Sequence, residues 1–265
     1  MSKTDLRMRV FAGPNGSGKS TIIEAVKNYK VKGNLIDFGI YINADDIAQH
    51  IRENDFGFFP YTIDTTNEEF RRIAMASGLI NKDFTEEQFN GCYQLEQNRI
   101  IFHSNAEGIE KEKIITRLAQ VIADFLRKRL LADRKKFSFE TVFSHESKLE
   151  IMRQGKEAGY KVYLYFVSTE SPEINKDRVA LRTLKGGHYV PPETIVSRYY
   201  RSLDFLYEAT KLSYRVFFFD NSDSGKRFKL FADFKVIDGK ENWGKYFKEI
   251  FPQWFYKYFL MKSTK

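Results

Sequence analysis

Cysteine is nearly absent from this sequence, since only Cys92 among its 265 residues carries a thiol. A single cysteine excludes a disulfide within the chain and is typical of the reducing cytoplasm, where we expect this protein. No run of about 18 uncharged apolar residues occurs, so the sequence predicts no membrane span. Because the first strand pattern begins near Leu6, we expect no signal peptide.

Internal repeats, low-complexity stretches and a basic tail are also lacking, and no two histidines stand at the spacing of zinc ligands. Hydrophobic residues make up 42% of the chain, enough for a sizeable core. The formal net charge of +8 comes from lysines and arginines scattered along the chain. This charge suits an anionic partner such as a nucleotide, a nucleotide-sugar or a nucleic acid, although solubility explains it as well.

One motif carries chemistry that can be interpreted residue by residue. The run Gly13–Ser20 matches the phosphate-binding pattern G-x-x-x-x-G-K-[ST], in which backbone N–H groups surround a polyphosphate. Lys19 can reach the β- and γ-phosphates, and the Ser20 hydroxyl can ligate Mg²⁺. A strand pattern precedes the run and a helical pattern follows it, which places the phosphates at a helix N-terminus. The motif predicts binding of ATP with Mg²⁺ through Gly13, Pro14, Asn15, Gly16, Ser17, Gly18, Lys19, Ser20 and Thr21.

The rest of the chain predicts an α/β fold. Short strand patterns at 39–42, 161–167 and 215–219 alternate with helical patterns, which is typical of a mostly parallel sheet between helical layers. We interpret residues 1–265 as a single P-loop NTPase domain, a three-layer sandwich. A helical insertion is predicted at about 52–136, with an amphipathic helix near 110–131.

Two acidic positions follow predicted strands, at the edge of the sheet where α/β proteins bind their ligands. Asp45 and Asp46 come just after the strand predicted at 39–42, and either could orient an acceptor hydroxyl and take its proton. Both could instead cap a helix beginning near Ile47. Glu140, in Phe139-Glu140-Thr141, could hold a Mg²⁺-bound water or a substrate hydroxyl, or be a solvated turn residue.

Basic side chains lie on a predicted helix before a pair of glycines. Arg178 and Arg182 are four residues apart and therefore share one helix face. Followed by Gly186-Gly187, they could form a lid that neutralises charge on a transferring phosphoryl group. Alternatively, the two arginines lie on a basic helix face that is exposed to solvent and has no catalytic role. His188, just after the glycines, could contact a phosphate or stabilise the loop.

The C-terminal stretch at about 240–265 is crowded with aromatic residues, interrupted by charges that exclude a membrane span. Because so many exposed rings would form an interface or aggregate, we expect the stretch to dock on the α/β core. A partner surface or a helix lying on a membrane surface are the alternatives. The aromatic residues are Trp243, Tyr246, Phe247, Phe251, Trp254, Phe255, Tyr256, Tyr258 and Phe259.

Taken together, these segments resemble the zeta-toxin family of P-loop kinases and its stand-alone relatives. The resemblance covers residues 6 to about 225, apart from the insertion. It is carried by Ala12–Thr21, Asn43-Ala44-Asp45-Asp46-Ile47-Ala48, Phe139-Glu140-Thr141, Ala158-Gly159-Tyr160, Arg178-Val179, Gly186-Gly187-His188-Tyr189-Val190-Pro191, Arg198-Tyr199-Tyr200-Arg201-Ser202-Leu203 and Asp220-Asn221-Ser222.

The resemblance implies transfer of the γ-phosphate of ATP to a hydroxyl of a small acceptor, in characterised members a UDP-N-acetylamino sugar. It implies that Asp45 is the base facing the acceptor, that Glu140 holds substrate, and that Arg178 acts as a lid group with Arg182 or His188. The family's second lid arginine has no unambiguous match here. A small antitoxin protein is an implied partner. The alternatives are a polynucleotide kinase and an ATP-driven switch or binding module.

Overall fold

The computed structural model describes residues 5–187, 189–223, 225, 228–244 and 251–263. Its strands are β1 Arg7–Ala12, β2 Lys30–Val31, β3 Asn34–Leu35, β4 Ile40–Ile42, β5 Tyr93–Glu96, β6 Arg99–Phe102, β7 Phe137–Thr141, β8 Lys161–Ser168, β9 Arg215–Asp220, β10 Lys229–Ile237 and β11 Lys240–Trp243. Its α-helices are α1 Lys19–Lys27, α2 Ala44–Arg52, α3 Asn67–Met75, α4 Glu86–Gly91, α5 Gly108–Ala132, α6 Ser147–Glu157, α7 Pro172–Leu184, α8 Pro192–Asp204, α9 Leu206–Lys211, α10 Gln253–Phe255 and α11 Met261–Ser263. A 3₁₀ turn spans Phe59–Tyr61, and a π-helical turn spans Tyr256–Leu260.

The chain divides into two compact units. The first consists of residues 1–39 and 138–265, and the second consists of residues 40–137. In the described part of the first unit, six strands stand in the order β11-β10-β9-β8-β1-β7. Strand β8 runs parallel to both β1 and β9, whereas β10 and β11 are antiparallel additions. The predicted α/β fold, with a mostly parallel sheet between helices, is confirmed.

Close packing of helix α6 on the sheet shows how the first unit builds its core. Strand β1 alternates, so that Met8 and Val10 point to the same face of the sheet, and both are fully buried. Helix α6 presents Gly155 to Met8, and a Cβ on this glycine would lie 2.4 Å from the Met8 Cε atom. The absence of a side chain therefore lets the helix approach the sheet closely at this point.

The second unit is built around the long helix α5, which the sequence predicted at nearly its observed position. Buried residues lie all around this helix, and Phe125 packs edge-on against Phe58 and Phe70. The segment 52–136 is not helical throughout, because β5 and β6 form an antiparallel hairpin. At its turn, Gln97 and Asn98 both have positive φ angles, 47° and 63°. Turns of this kind match the natural twist of a two-stranded hairpin.

The prediction from sequence also missed the strands at the far edge of the sheet and differed from the structure in one helix. It predicted a single helix over 192–211, whereas the chain forms α8 and α9 with Phe205 between them. It gave no structure to 229–243, which forms β10 and β11. Among the described residues, no helix combines the length and the apolar character needed to cross a membrane.

The described part of the aromatic C-terminus packs on the sheet of the first unit, as expected. Phe255 and Phe259 have no exposed surface, and their rings lie 4.8 and 5.2 Å from the ring of Phe218 in β9. Trp254 donates its indole N–H to a carboxylate oxygen of Asp220 at 3.1 Å. Docking on the core is thus confirmed for residues 251–263, while Tyr246 and Phe247 lie outside the described residues.

Replacing Phe255 by alanine is expected to lower the free energy of unfolding by about 3–5 kcal/mol, because the change removes a fully buried ring and leaves a cavity. Thermal and denaturant unfolding measure the loss. Tyr256→Ala is the matched control, since Tyr256 is the next residue and is 54% exposed. An unchanged melting temperature together with an altered oligomeric state would show that the segment forms an interface instead.

Candidate active site

The phosphate-binding motif forms the connection between β1 and α1. Strand β1 ends at Ala12 and helix α1 begins at Lys19, with Gly18 in the N-cap position. Gly18 has a φ of 96°, a left-handed conformation that side-chain-bearing residues rarely adopt. This conformation lets the chain turn sharply into the helix, whose first N–H groups then face the loop.

The loop is also tightly enclosed by other parts of the first unit. A Cβ on Gly13 would lie 2.0 Å from the carbonyl oxygen of Val167 in β8. A Cβ on Gly18 would lie 2.2 Å from the side-chain nitrogen of Asn221, just after β9. Glycine is therefore required at both positions by the space available as well as by the turn.

Lys19 lies inside the loop and is only 7% exposed. Its Nζ atom donates hydrogen bonds to the carbonyl oxygens of Gly13 and Pro14, each at 3.0 Å. A carboxylate oxygen of Glu140, near the end of β7, lies 3.8 Å from the same nitrogen. The structure thus brings together two residues that lie far apart in sequence, a cation and a carboxylate, at the mouth of a phosphate-binding loop.

The neighbours of these residues differ in their accessibility. Ser20 and Thr21 lie exposed on the first turn of α1. Ser17 is buried within the loop. The hydroxyl of Thr141 accepts a hydrogen bond from the backbone N–H of Phe143 at 3.1 Å, and so helps to shape the turn after β7.

Sequence reasoning did not assign a role to Asn221, which links the phosphate loop to helix α7. Its side-chain amide donates to the carbonyl oxygen of Ser17 at 2.9 Å. Its own carbonyl oxygen accepts a hydrogen bond from Arg178 at 2.7 Å. The Asp220-Asn221-Ser222 run was the only local signal, and its place at the end of an apolar strand was the reason to notice it.

The two predicted lid arginines lie on α7, beside a surface cavity of about 490 Å³. Three cationic side chains give this cavity a positive character. Its lining consists of Arg178, Leu181, Arg182, Lys185, Gly186 and Gly187. Arg178 is half-buried and points towards the phosphate loop through Asn221. His188 lies outside the described residues.

Asp45 and Asp46 belong to the second unit, whereas the phosphate loop, Glu140 and the arginines belong to the first. Helix α2 begins at Ala44 and not near Ile47, and its cap is Asn43, whose side chain accepts a hydrogen bond from the Asp45 N–H at 2.9 Å. Both aspartates are therefore first-turn residues with exposed side chains, where the helix dipole favours negative charge. Neither is the cap.

The fold and the loop together define the class of protein. A strand, a glycine-rich turn and a helix with a buried lysine over the turn, set in a mostly parallel sheet, are the structural core of an α/β P-loop fold.

No family profile matches the chain. It is 32% identical over 63 residues to an uncharacterized protein of Haemophilus influenzae, and the match spans 24% of this chain and 45% of that protein. Among solved structures, a chain of the native AvrRxo1-ORF1:-ORF2 complex aligns with a TM-score of 0.50 and 14% identity, over 90% of this chain and 60% of that chain.

A chain of the PezAT chromosomal toxin–antitoxin system of Streptococcus pneumoniae aligns with a TM-score of 0.47 and 13% identity, over 98% of this chain and 80% of that chain. At such identities the likeness lies in the fold alone. At this level, the α/β P-loop fold expected from the sequence is confirmed.

Proposed function

We propose that this protein is an ATP- and Mg²⁺-dependent phosphotransferase that transfers the γ-phosphate of ATP to a hydroxyl of a small acceptor. The observation that carries the proposal is the arrangement around Lys19. Its ammonium group lies against the carbonyls of Gly13 and Pro14, with the Glu140 carboxylate 3.8 Å away. A cation held at this point is placed to contact the β- and γ-phosphates of a bound nucleotide.

The residues present fit a magnesium ion. Ser20 offers a hydroxyl oxygen on the first turn of α1, and Glu140 offers a carboxylate 3.8 Å from the Lys19 Nζ atom. Both are the hard oxygen ligands that Mg²⁺ prefers. Ser20 would hold the ion directly and Glu140 through a water molecule. When bound, the ion would neutralise charge on the β- and γ-phosphates.

The remaining roles follow from the chemistry of the side chains. Asp45, an exposed carboxylate at the start of α2, is proposed to orient the acceptor hydroxyl and to take its proton during transfer. Arg178 and Arg182 are proposed to offset the negative charge of the polyphosphate from the positive cavity on α7. Thr141, the residue after Glu140, is proposed to contact the substrate, and so is His188.

The acceptor class is proposed by analogy with the zeta-toxin family, in which UDP-N-acetylamino sugars are phosphorylated. A protein partner is proposed on the same basis. A chain that aligns with this one was solved as part of the AvrRxo1-ORF1:-ORF2 complex, and we propose a small antitoxin protein as the partner of this chain.

Incubation with γ-labelled ATP and Mg²⁺ tests the proposal, with a metabolite extract, UDP-N-acetylamino sugars and 5′-hydroxyl oligonucleotides offered as separate acceptors. We expect label on a small molecule. Label on oligonucleotide ends alone would identify a polynucleotide kinase. Slow release of phosphate that no acceptor accelerates would identify an ATP-driven switch.

A further inference from the structure

A polar groove of the second unit lies along the outer edge of strand β5. It is a surface cavity of about 460 Å³. Three consecutive residues of β5, Tyr93 to Leu95, line it. Because successive side chains of a strand point to opposite faces, a cavity that touches all three residues lies along the edge of the strand. Helices α3 and α4 supply the other lining residues, and the full set is Asn67, Arg71, Asn90, Tyr93, Gln94 and Leu95.

The hydrogen bonds of strand β6 show that the main chain of β5 faces this groove. The N–H group of Ile100 donates to the carbonyl oxygen of Phe56 at 3.0 Å, so it points away from β5. In an antiparallel pair, two residues directly opposite each other either bond to each other or both point outward. The residue opposite Ile100 is Leu95. Leu95 therefore directs its N–H and C=O groups away from β6, into the groove.

The main chain of Tyr93 has the same orientation. The residue opposite Tyr93 is Phe102, whose N–H group donates to the Asn54 side chain at 2.8 Å and not to β5. Tyr93 and Leu95 thus offer two N–H donors and two carbonyl acceptors to one extended chain. In the described part of the chain, β5 and β6 form a two-stranded sheet with no further strand on this edge. Proteins normally cover such an edge, because its main-chain groups are a template for pairing with another strand.

The side chains around this edge are polar and carry no net charge. The guanidinium of Arg71 donates to a carboxylate oxygen of Glu86 at 2.8 Å, which offsets its charge. The Tyr93 hydroxyl donates to the side-chain oxygen of Asn67 at 3.2 Å, and burial raises the pKa of this phenol to about 12, so it remains a donor. The remaining polar residues of the groove are amides. Amides both donate and accept hydrogen bonds, so this lining complements a peptide backbone better than a phosphate or another charged group.

Strand β5 is held in place from two sides. The ring of Tyr93 packs against Phe70 of α3 and Phe89 of α4, with ring centroids 5.3 and 5.0 Å apart. At the end of the hairpin opposite its turn, the His103 N–H donates to the Cys92 carbonyl oxygen at 3.0 Å. The edge is therefore preorganised, and a ligand does not have to order it on binding.

We propose that this groove binds an extended segment of a partner protein, which adds as a third strand beside β5. The N–H and C=O groups of the segment would pair with those of Tyr93 and Leu95. Asn67 and Arg71, four residues apart on one face of α3, would contact it from the other side of the groove. In recognition of this kind the main chain supplies affinity and the side chains supply specificity. Because the lining has no net charge, we expect segments rich in uncharged, β-branched residues. The inference is independent of the proposed phosphotransferase activity.

Short random peptides, displayed on phage and selected on the immobilised protein, supply the probes for a test, and fluorescence anisotropy measures their affinity. Leu95→Pro removes the N–H group that points into the groove and no bond between β5 and β6, since proline is tolerated on the open side of an edge strand. We expect it to weaken binding about ten-fold or more. Leu95→Ala is the matched control, because it shortens the same side chain, keeps the N–H group and should bind nearly as the parent protein does. Circular dichroism and thermal unfolding check that both variants are folded.

N-methylated peptides test the same pairing with the parent protein, so the result does not depend on the folding of a variant. Methylation of alternate residues should abolish binding in one register, where the N–H groups face β5, and should leave it in the other register. Equal loss in both registers overturns the proposal, and so does a selection that yields no peptide or only peptides that bind Leu95→Pro as tightly as the parent. Concentration-dependent dimers that Leu95→Pro abolishes, without peptide binding, would overturn it too and would assign the edge to a second copy of the chain.

Discussion

Lys19→Ala is expected to abolish productive ATP binding, with an affinity loss of about 100-fold or more, and to leave no measurable phosphoryl transfer. The side chain ends in the mouth of the phosphate loop, where its ammonium group is bonded to two loop carbonyls and faces Glu140. Its loss removes the cation that meets the β- and γ-phosphates and leaves the Glu140 carboxylate to repel them. Calorimetric titration with ATP and a transfer assay measure the two effects.

Lys27→Ala is the control for this experiment, since it removes a lysine from the last turn of the same helix. We expect it to bind ATP as the parent protein does. Thermal unfolding should show that Lys19→Ala is still folded, because the Lys19 side chain lies at the phosphate loop and not in the apolar core. Undiminished ATP affinity in a folded Lys19→Ala protein would refute the assignment of the phosphate loop.

Asp45→Asn is expected to slow phosphoryl transfer by about 10²–10⁴-fold while ATP affinity stays within a factor of about two, because a general base acts on the acceptor and not on the nucleotide. The amide keeps the size of the side chain and cannot take a proton. The hydrogen bond from the Asp45 N–H to Asn43 involves only the backbone of this residue, so helix α2 should remain capped. Single-turnover transfer rates and ATP titration measure the two quantities.

Asp46→Asn provides the comparison, since both aspartates are exposed on the first turn of α2. The Asp46 carboxylate accepts a hydrogen bond from the Asn43 side chain at 3.3 Å, which gives it a structural task at the start of the helix. We expect Asp46→Asn to lower stability slightly and to retain most of the transfer rate. A crippled Asp46→Asn beside a nearly normal Asp45→Asn would show that the base is Asp46.

Much of the fold could be predicted because its signals are local. The phosphate loop, the apolar run of β8 and the helical period of α5 are each contained in one short segment. Strand β10 was missed because Asp233 interrupts its apolar pattern. This carboxylate is buried, and it accepts a hydrogen bond from Arg215 of the neighbouring strand at 3.0 Å. In the sequence, an aspartate at this position indicates a loop. In the structure its negative charge is neutralised by Arg215, 18 positions away.

The residues of the site could be predicted only where they lie together in one short segment of the sequence. Ile195, Tyr199 and Leu203 recur at helical spacing along α8, and all three are buried, so a local pattern predicts this face of the helix. It could not show that Arg198 reaches Asn15, or that Asn221 reaches the loop from 204 positions away. Those contacts depend on how the strands are ordered, and no local pattern encodes strand order.

The close enclosure of the phosphate loop also affects how the protein forms its nucleotide site during folding. The first 30 residues contain the complete motif, yet the loop packs against Val167, Asn175 and Asn221, which the ribosome adds much later. Contacts of such long sequence separation form slowly, because the intervening chain must first be closed into a loop. A nascent chain that ends before β8 would carry the whole phosphate loop without the walls that shape it. Nucleotide capture should therefore mark the completion of the sheet, and from that moment bound ATP would stabilise the assembled unit against reopening.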